Sequence, residues 1–115
     1  MRVLVLALAI CGIASPQVRY EYILKGPGKD WLTYAGSYNG WRHSPLEQIT
    51  PANAGSLVPK WVYRVPNAAR LQTSPLVYDG VMYVTNTNAV YALDARSGRL
   101  IWSYVDARAK ESGPN

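Results

Sequence analysis

The residues that could carry out acid–base, metal or nucleophilic chemistry are few in this chain and lie far apart. Its 115 residues include seven Asp and Glu, one His and one Cys. Five of the seven carboxylates lie singly in turns, in a predicted helix cap or in the polar tail: Asp79, Asp94, Glu47, Asp106 and Glu111. A metal site needs several oxygen ligands that converge, and the sequence shows no such cluster. We therefore assign no catalytic residue and no metal ligand.

The single histidine and the single cysteine also point away from a self-contained active site. His43 stands beside the helix-capping pattern Ser44-Pro45-Leu46-Glu47, and a lone histidine in that setting favours a structural role. One cysteine excludes a disulfide scaffold and a multi-thiolate metal site made by this chain alone. Gly-x-Ser-x-Gly, P-loop and Gly-x-Gly-x-x-Gly motifs do not occur.

The number and distribution of charged residues bear on whether the chain binds nucleic acid. The chain has 12 Lys and Arg against seven Asp and Glu, a formal net charge of +5. The basic residues are scattered and no two are adjacent. Nucleic-acid binding requires a concentrated basic face, so we expect no nucleic-acid partner.

The amino terminus has the features of a secretion signal. One Arg at position 2 precedes an uncharged apolar run, residues 3–14, which is shorter than the roughly 20 residues that span a bilayer. Small residues at Gly12 and Ala14 complete the pattern of a signal peptide. We predict a signal peptide over residues 1–14, cleaved after Ala14 or Ser15 and carrying Cys11 away, and no stable membrane span. A buried strand of the mature protein, or lipid attachment at Cys11, remain as alternatives.

Residues 15–75, here called the lead-in segment, are predicted to be mostly irregular. The stretch 18–25 (VRYEYILK) fits a short helix that the following Gly-Pro-Gly must end. The Gly-rich and aromatic stretch 30–41 predicts a loop held by its rings. The capping box that begins at Ser44 and the Thr-Pro pair that begins at Thr50 predict two single-turn helices.

The stretch 76–104 changes to the pattern of a β-sheet. Four short apolar runs (76–78, 81–85, 90–93 and 100–104) are separated by tight turns. Asp79-Gly80 between two such runs is a strong hairpin signal, because both central residues of a type I′ turn need positive φ. We predict one antiparallel meander of four strands. Both faces of its second strand are apolar, with Val81 and Tyr83 on one and Met82 and Val84 on the other, so we expect cover on both sides from neighbouring blades.

One motif in the sheet carries a family resemblance. Residues 92–102 have the form A-x-D-x-x-S-G-x-x-x-W. This resembles the tryptophan-docking motif of the quinoprotein dehydrogenase propellers, which carry pyrroloquinoline quinone (PQQ). In that motif Asp94 would bond turn amides, Gly98 would take a left-handed conformation and Trp102 would place its ring against the adjacent blade.

The lead-in segment extends the resemblance. It contains the runs D-W-L-T-Y-A-G (30–36), N-G-W-R-H-S-P-L (39–46) and Q-I-T-P-A-N (48–53), and S-P-L-V-Y-D-G follows at 74–80. Together these cover residues 30–104 in the family's order. The resemblance implies an all-β fold, a fragment of an eight-bladed β-propeller: one four-stranded antiparallel blade (76–104) after the irregular lead-in segment. Residues 105–115 would be a truncated tail.

The resemblance also implies an activity. Members are periplasmic enzymes that oxidise small alcohols or sugars with PQQ and calcium and pass electrons to a cytochrome or a quinone. Their stacking cysteine pair, calcium ligands and catalytic aspartate would follow Asn115, so this chain alone is expected to be inactive and to bind neither cofactor. Just before the S-P-L-V strand the family has a PQQ-contacting residue, often Glu. Gln72 matches that position and would make a neutral contact; the alternative is an exposed loop residue.

Two further interpretations remain. The blade could belong to a non-enzymatic PQQ-like-repeat propeller that serves as a periplasmic scaffold or binding module. It could also be a small independent β protein that oligomerises through uncovered faces. The W-L-T-Y run with R-H-S-P-L favours the enzyme.

Overall fold

The computed structural model describes residues 17–68 and 71–107. The predicted signal peptide, residues 1–14, and residues 108–115 of the predicted tail lie outside these ranges. The described elements are a helix, a short 3-10 helix and four strands: α1 (Tyr20–Lys25), η1 (Ala54–Ser56), β1 (Leu76–Tyr78), β2 (Val81–Thr85), β3 (Ala89–Asp94) and β4 (Leu100–Val105). Over the described ranges, no helix has the length and apolar character needed to cross a membrane.

The first helix agrees with the sequence prediction. It ends at Lys25 because Gly26 takes φ +80°, outside the helical region, while its backbone N–H still donates to Ile23 O at 3.2 Å. Glycine adopts this conformation without the steric cost that a Cβ would add. The Gly-Pro-Gly stretch therefore ends the helix, as predicted.

The single-turn helix predicted after Ser44 is wrong, whereas the one predicted from Thr50 is present as a turn that leads into η1. Residues 44–49 are not helical, and the Ser44 hydroxyl accepts a bond from Leu46 N at 3.3 Å, which closes a local turn. Further on, Thr50 N donates to the Asn53 side chain at 2.8 Å, and Thr50 O accepts from Asn53 N at 3.1 Å and from Ala54 N at 2.9 Å, just before η1. At Ser44 the cap-like bond does not by itself nucleate a helix, because a first turn fixes several residues for one backbone hydrogen bond.

The predicted meander is confirmed. The strands form one antiparallel sheet in the order β1-β2-β3-β4. Asp79 and Gly80 have φ +47° and +77°, as the predicted tight hairpin requires. β3 and β4 are slightly longer than expected, and a register shift lies where β3 passes from Ala92 to Leu93.

One face of the sheet is covered by the chain's own lead-in segment. Its core is formed by Val84, Ala89, Tyr91 and Leu93, and Trp61, Tyr63 and Val65 pack against it. Leu93 is only 1% exposed, and burial of such a side chain is worth about 2 kcal/mol. The expectation that both faces need cover from other blades is therefore wrong for this face, because residues 61–65 return across it.

Among residues 17–68 and 71–107, no segment covers the opposite face. Tyr83 and Trp102 are neighbours across it, with ring centroids 6.2 Å apart, and Ala92, which lies between them in the register, is fully buried. The large side chains on this face remain accessible: Trp102 is 46% exposed and Tyr104 57%. An apolar sheet face of this kind normally packs against another layer.

The lead-in segment also reaches the first strand. Trp31 pairs with Val77 through two backbone hydrogen bonds of 2.8 Å, N–H to C=O in each direction. Its ring lies against Gly36, where a Cβ would come within 2.7 Å of the indole. The aromatic loop is thus held by its rings, as predicted.

Candidate functional site

The residue predicted to contact a cofactor lies at one end of the sheet. Gln72 is exposed and belongs to the stretch that runs into β1. It lines a surface hollow of about 400 Å³ together with Thr85, Asn86 and Thr87. These three residues lie at the end of β2 and in the turn that follows, so the sheet brings together side chains that are well separated in sequence.

Local hydrogen bonds fix the walls of this hollow. The hydroxyls of Thr73 and Thr85 are 2.8 Å apart and join the approach to β1 to the end of β2. The Asn86 carboxamide accepts from Thr87 N at 2.6 Å and donates to Pro66 O at 3.4 Å. The hollow is lined by neutral polar groups, and none of its lining residues is a carboxylate or a histidine.

The acid–base and metal-ligating candidates do not converge. Within residues 17–68 and 71–107, no group of three or more His, Cys, Asp and Glu side chains could hold a metal ion. His43 and Glu47 are exposed, and Glu47 is not in a helix cap because no helix forms there. Asp79 occupies the β1–β2 hairpin turn, where Lys29 Nζ lies 3.6 Å from its carboxylate, and Asp106 follows β4.

The turn between β3 and β4 is built around Asp94. Its carboxylate accepts from Ser97 Oγ at 2.7 Å, from Ser97 N at 2.8 Å and from Arg96 N at 3.1 Å. The Ser97 hydroxyl and then the Ser97 amide lower the pKa of Asp94 below its ordinary value of 3.8, because they stabilise the charged form. Gly98 follows with φ +72°. The roles predicted for Asp94 and Gly98 are confirmed.

The tryptophan that docks on this turn is one that the sequence analysis missed. Trp61 donates its indole N–H to Ala95 O at 3.2 Å, and its ring covers Gly98. A Cβ on Gly98 would lie 2.5 Å from the ring, so only glycine leaves room for it. Trp102 lies on the opposite face of the sheet and is 46% exposed, so its docking against an adjacent blade stays a prediction. The repeated spacing of Trp61-Val62-Tyr63 and Trp102-Ser103-Tyr104 was the signal that could have revealed it.

Comparison with known proteins gives a consistent result. Residues 31–115 match the family model of the glucose/ethanol/alcohol dehydrogenase β-propeller domain, designated PQQ. The chain is 43% identical over 89 residues to the 1-butanol dehydrogenase (cytochrome c) of Thauera butanivorans, covering 76% of this chain and 13% of that protein. It is 46% identical over 79 residues to the dehydrogenase subunit of the quinone-dependent alcohol dehydrogenase of Gluconobacter oxydans, covering 68% and 10% respectively.

Solved structures of related dehydrogenases agree with these sequence matches. The quinohemoprotein alcohol dehydrogenase ADH-IIG of Pseudomonas putida superposes with a TM-score of 0.70 at 42% identity, over 76% of this chain and 13% of that one. The corresponding enzyme of Comamonas testosteroni gives a TM-score of 0.63 at 37% identity, over 68% and 12%. The chain thus spans about an eighth of these relatives, and its sheet is one blade of a β-propeller. It belongs to the PQQ family of glucose/ethanol/alcohol dehydrogenase propellers.

Proposed function

We propose that this chain contributes the first blade of a PQQ-dependent dehydrogenase that oxidises small alcohols or sugars. The observation that carries the proposal is the match to the dehydrogenase propeller over residues 31–115, with alcohol dehydrogenases 43–46% identical among its relatives. The open sheet face with Trp102 and Tyr104 supports it, because a blade needs a neighbour there. By itself the chain oxidises no substrate.

Gln72 is the residue of this chain that would contact PQQ. Its hollow fits one edge of the cofactor: PQQ is a polycarboxylate, and the lining offers an exposed amide and hydroxyls with no carboxylate to repel it. Bound PQQ would supply the two-electron redox chemistry of the reaction. Gln72 would bind and orient it through a neutral hydrogen bond, and the Thr73–Thr85 contact would hold the approach to β1 in place.

Location and partners follow from the same proposal. Residues 1–14 would direct the protein to the periplasm as a cleaved signal peptide. A calcium ion beside PQQ would be held by residues outside this chain. The electron acceptor would be a cytochrome or a quinone, in line with the relatives described as cytochrome c-linked and quinone-dependent.

A chimera tests the proposal. Residues 31–105 of this chain replace the matching segment of the Pseudomonas putida quinohemoprotein alcohol dehydrogenase, so that the blade has its neighbours. Dye-linked alcohol oxidation and PQQ content are then measured for the chimera and for the 115-residue chain with added PQQ and calcium. We expect activity from the chimera only. A folded chimera that binds no PQQ would favour the non-enzymatic scaffold instead.

A further inference from the structure

The outer edge of β4 has none of the usual protection against pairing. All six residues of this edge strand, Leu100–Val105, are exposed, and the sequence LIWSYV contains no charge, proline or glycine. Native sheets commonly shield such edges with Lys, Pro or a covering segment. In the part of the chain that the structure describes, β4 has a strand partner only on its inner side, β3.

The register shows which backbone groups of β4 point outward. Asp106 N donates to Asn88 O at 2.8 Å, and the same pairing places Tyr104 opposite Val90 and Trp102 opposite Ala92. Because hydrogen-bonding direction alternates along a strand, the groups of Tyr104 and Trp102 face β3. Those of Ser103 and Val105 therefore face away from the sheet, ready to pair with another strand.

The opposite edge of the sheet is closed. β1 has only three residues, and its pairing with β2 turns the backbone groups of Val77 outward. Both of these groups are bonded to Trp31 at 2.8 Å. An added strand can therefore continue the sheet only at β4.

We propose that a second copy of this chain pairs with β4 through its own β4, antiparallel, about a two-fold axis at Ser103. Only backbone N–H and C=O groups that point away from their own sheet can form hydrogen bonds between the two copies. The register shift near the start of β4 leaves residues 102–105 as the regular part of the strand. Centring the pair on Ser103 satisfies both conditions. The result is one continuous eight-stranded sheet, which closes as a dimer because both remaining edges are the blocked β1 edges.

Side chains favour the same register. Trp102 of each copy lies opposite Tyr104 of the other at a non-hydrogen-bonded position, where side chains approach most closely, and cross-strand aromatic pairs stabilise such sheets. The pairing is self-complementary, which is why we assign a second copy and not an unrelated strand.

The test is sedimentation equilibrium of the 115-residue chain and two variants at Ser103. Ser103→Pro removes an outward N–H while leaving every β3–β4 bond intact, since proline is tolerated at an edge. Ser103→Ala is the matched control, because it keeps the N–H. We expect dimers from the parent chain and from Ser103→Ala. In Ser103→Pro the association constant should fall about tenfold or more, the effect of losing two symmetry-related hydrogen bonds.

A second variant and a second readout keep the outcome decisive. Ser103→Lys adds an edge charge without changing the backbone and should also give monomers; it replaces Ser103→Pro if circular dichroism shows that the proline disturbs the sheet. Amide exchange at Ser103 should slow as concentration rises, and that at Trp102 should not. A monomeric parent chain, equal dimerisation of all variants, or growth beyond dimers would overturn the proposal. It does not depend on the proposed enzyme function.

Discussion

The indole N–H of Trp61 donates to the backbone carbonyl of Ala95 across 3.2 Å, joining residues 34 positions apart in sequence. This contact holds the lead-in segment over one face of the sheet and sets the Trp61 ring on Gly98. The β3–β4 turn beneath this ring is itself held by the hydrogen bonds that the Asp94 carboxylate accepts. One face of the blade is thereby completed from within the chain, while the face of Trp102 is left for a neighbour.

Gly98→Ala should destabilise the chain by about 3 kcal/mol. The added Cβ would lie 2.5 Å from the Trp61 ring, and φ +72° disfavours any side chain. The measurement is the free energy of urea unfolding, followed by tryptophan fluorescence. Gly55→Ala is the control, because a Cβ there meets nothing within 4 Å. Equal effects of the two substitutions would contradict the docking geometry.

Acid should weaken the turn through Asp94. Its pKa is lowered in the folded chain, mainly by the Ser97 hydroxyl, so its stabilising contribution is present above the ordinary value of 3.8 and is lost as pH falls through the folded value. Asp94→Asn does not titrate and should lose less stability than the parent between pH 7 and acid pH. Ser97→Ala should act in the same direction. Urea midpoints measured across this pH range check both; a parent-like acid loss in Asp94→Asn would refute the assignment.

The parts of the fold that could be predicted from sequence are those specified by residues close together in the chain. The hairpin at Asp79-Gly80 and the turn at Asp94 and Gly98 are specified by residues within a few positions, and both were predicted. The helix after Ser44 was predicted from an equally local pattern but does not form: the Ser44 hydroxyl accepts from Leu46 N as an N-cap would, yet one such bond does not offset the cost of nucleating a helix. The Trp61 contact could not be read directly, since its partners are more than 30 residues away.

Gln72→Ala in the chimera should weaken PQQ binding about fivefold, the loss expected from one neutral hydrogen bond. Gln48→Ala is the control, since Gln48 is an exposed glutamine that does not line the hollow. Binding is measured by equilibrium titration of PQQ into the cofactor-free chimera. If both alanine variants bind PQQ like the parent, Gln72 is only an exposed loop residue.

Export should depend on residues 1–14. Fused ahead of alkaline phosphatase in a bacterial host, residues 1–20 should deliver phosphatase activity to the periplasm, with cleavage after Ala14 or Ser15. Leu6→Arg places a charge within the apolar run and should abolish export. Amino-terminal sequencing of the exported fusion locates the cleavage site. Retention of an uncleaved fusion in the cytoplasm would contradict the signal peptide.

The most direct measurement is alcohol oxidation by the chimera that carries residues 31–105. Retained near-ultraviolet circular dichroism and the haem absorbance of the host establish that it is folded. The account predicts PQQ-dependent oxidation by the chimera and none by the 115-residue chain with PQQ and calcium. A folded chimera without activity, alongside an active host enzyme, would contradict the claim that this chain is a blade of a quinoprotein dehydrogenase.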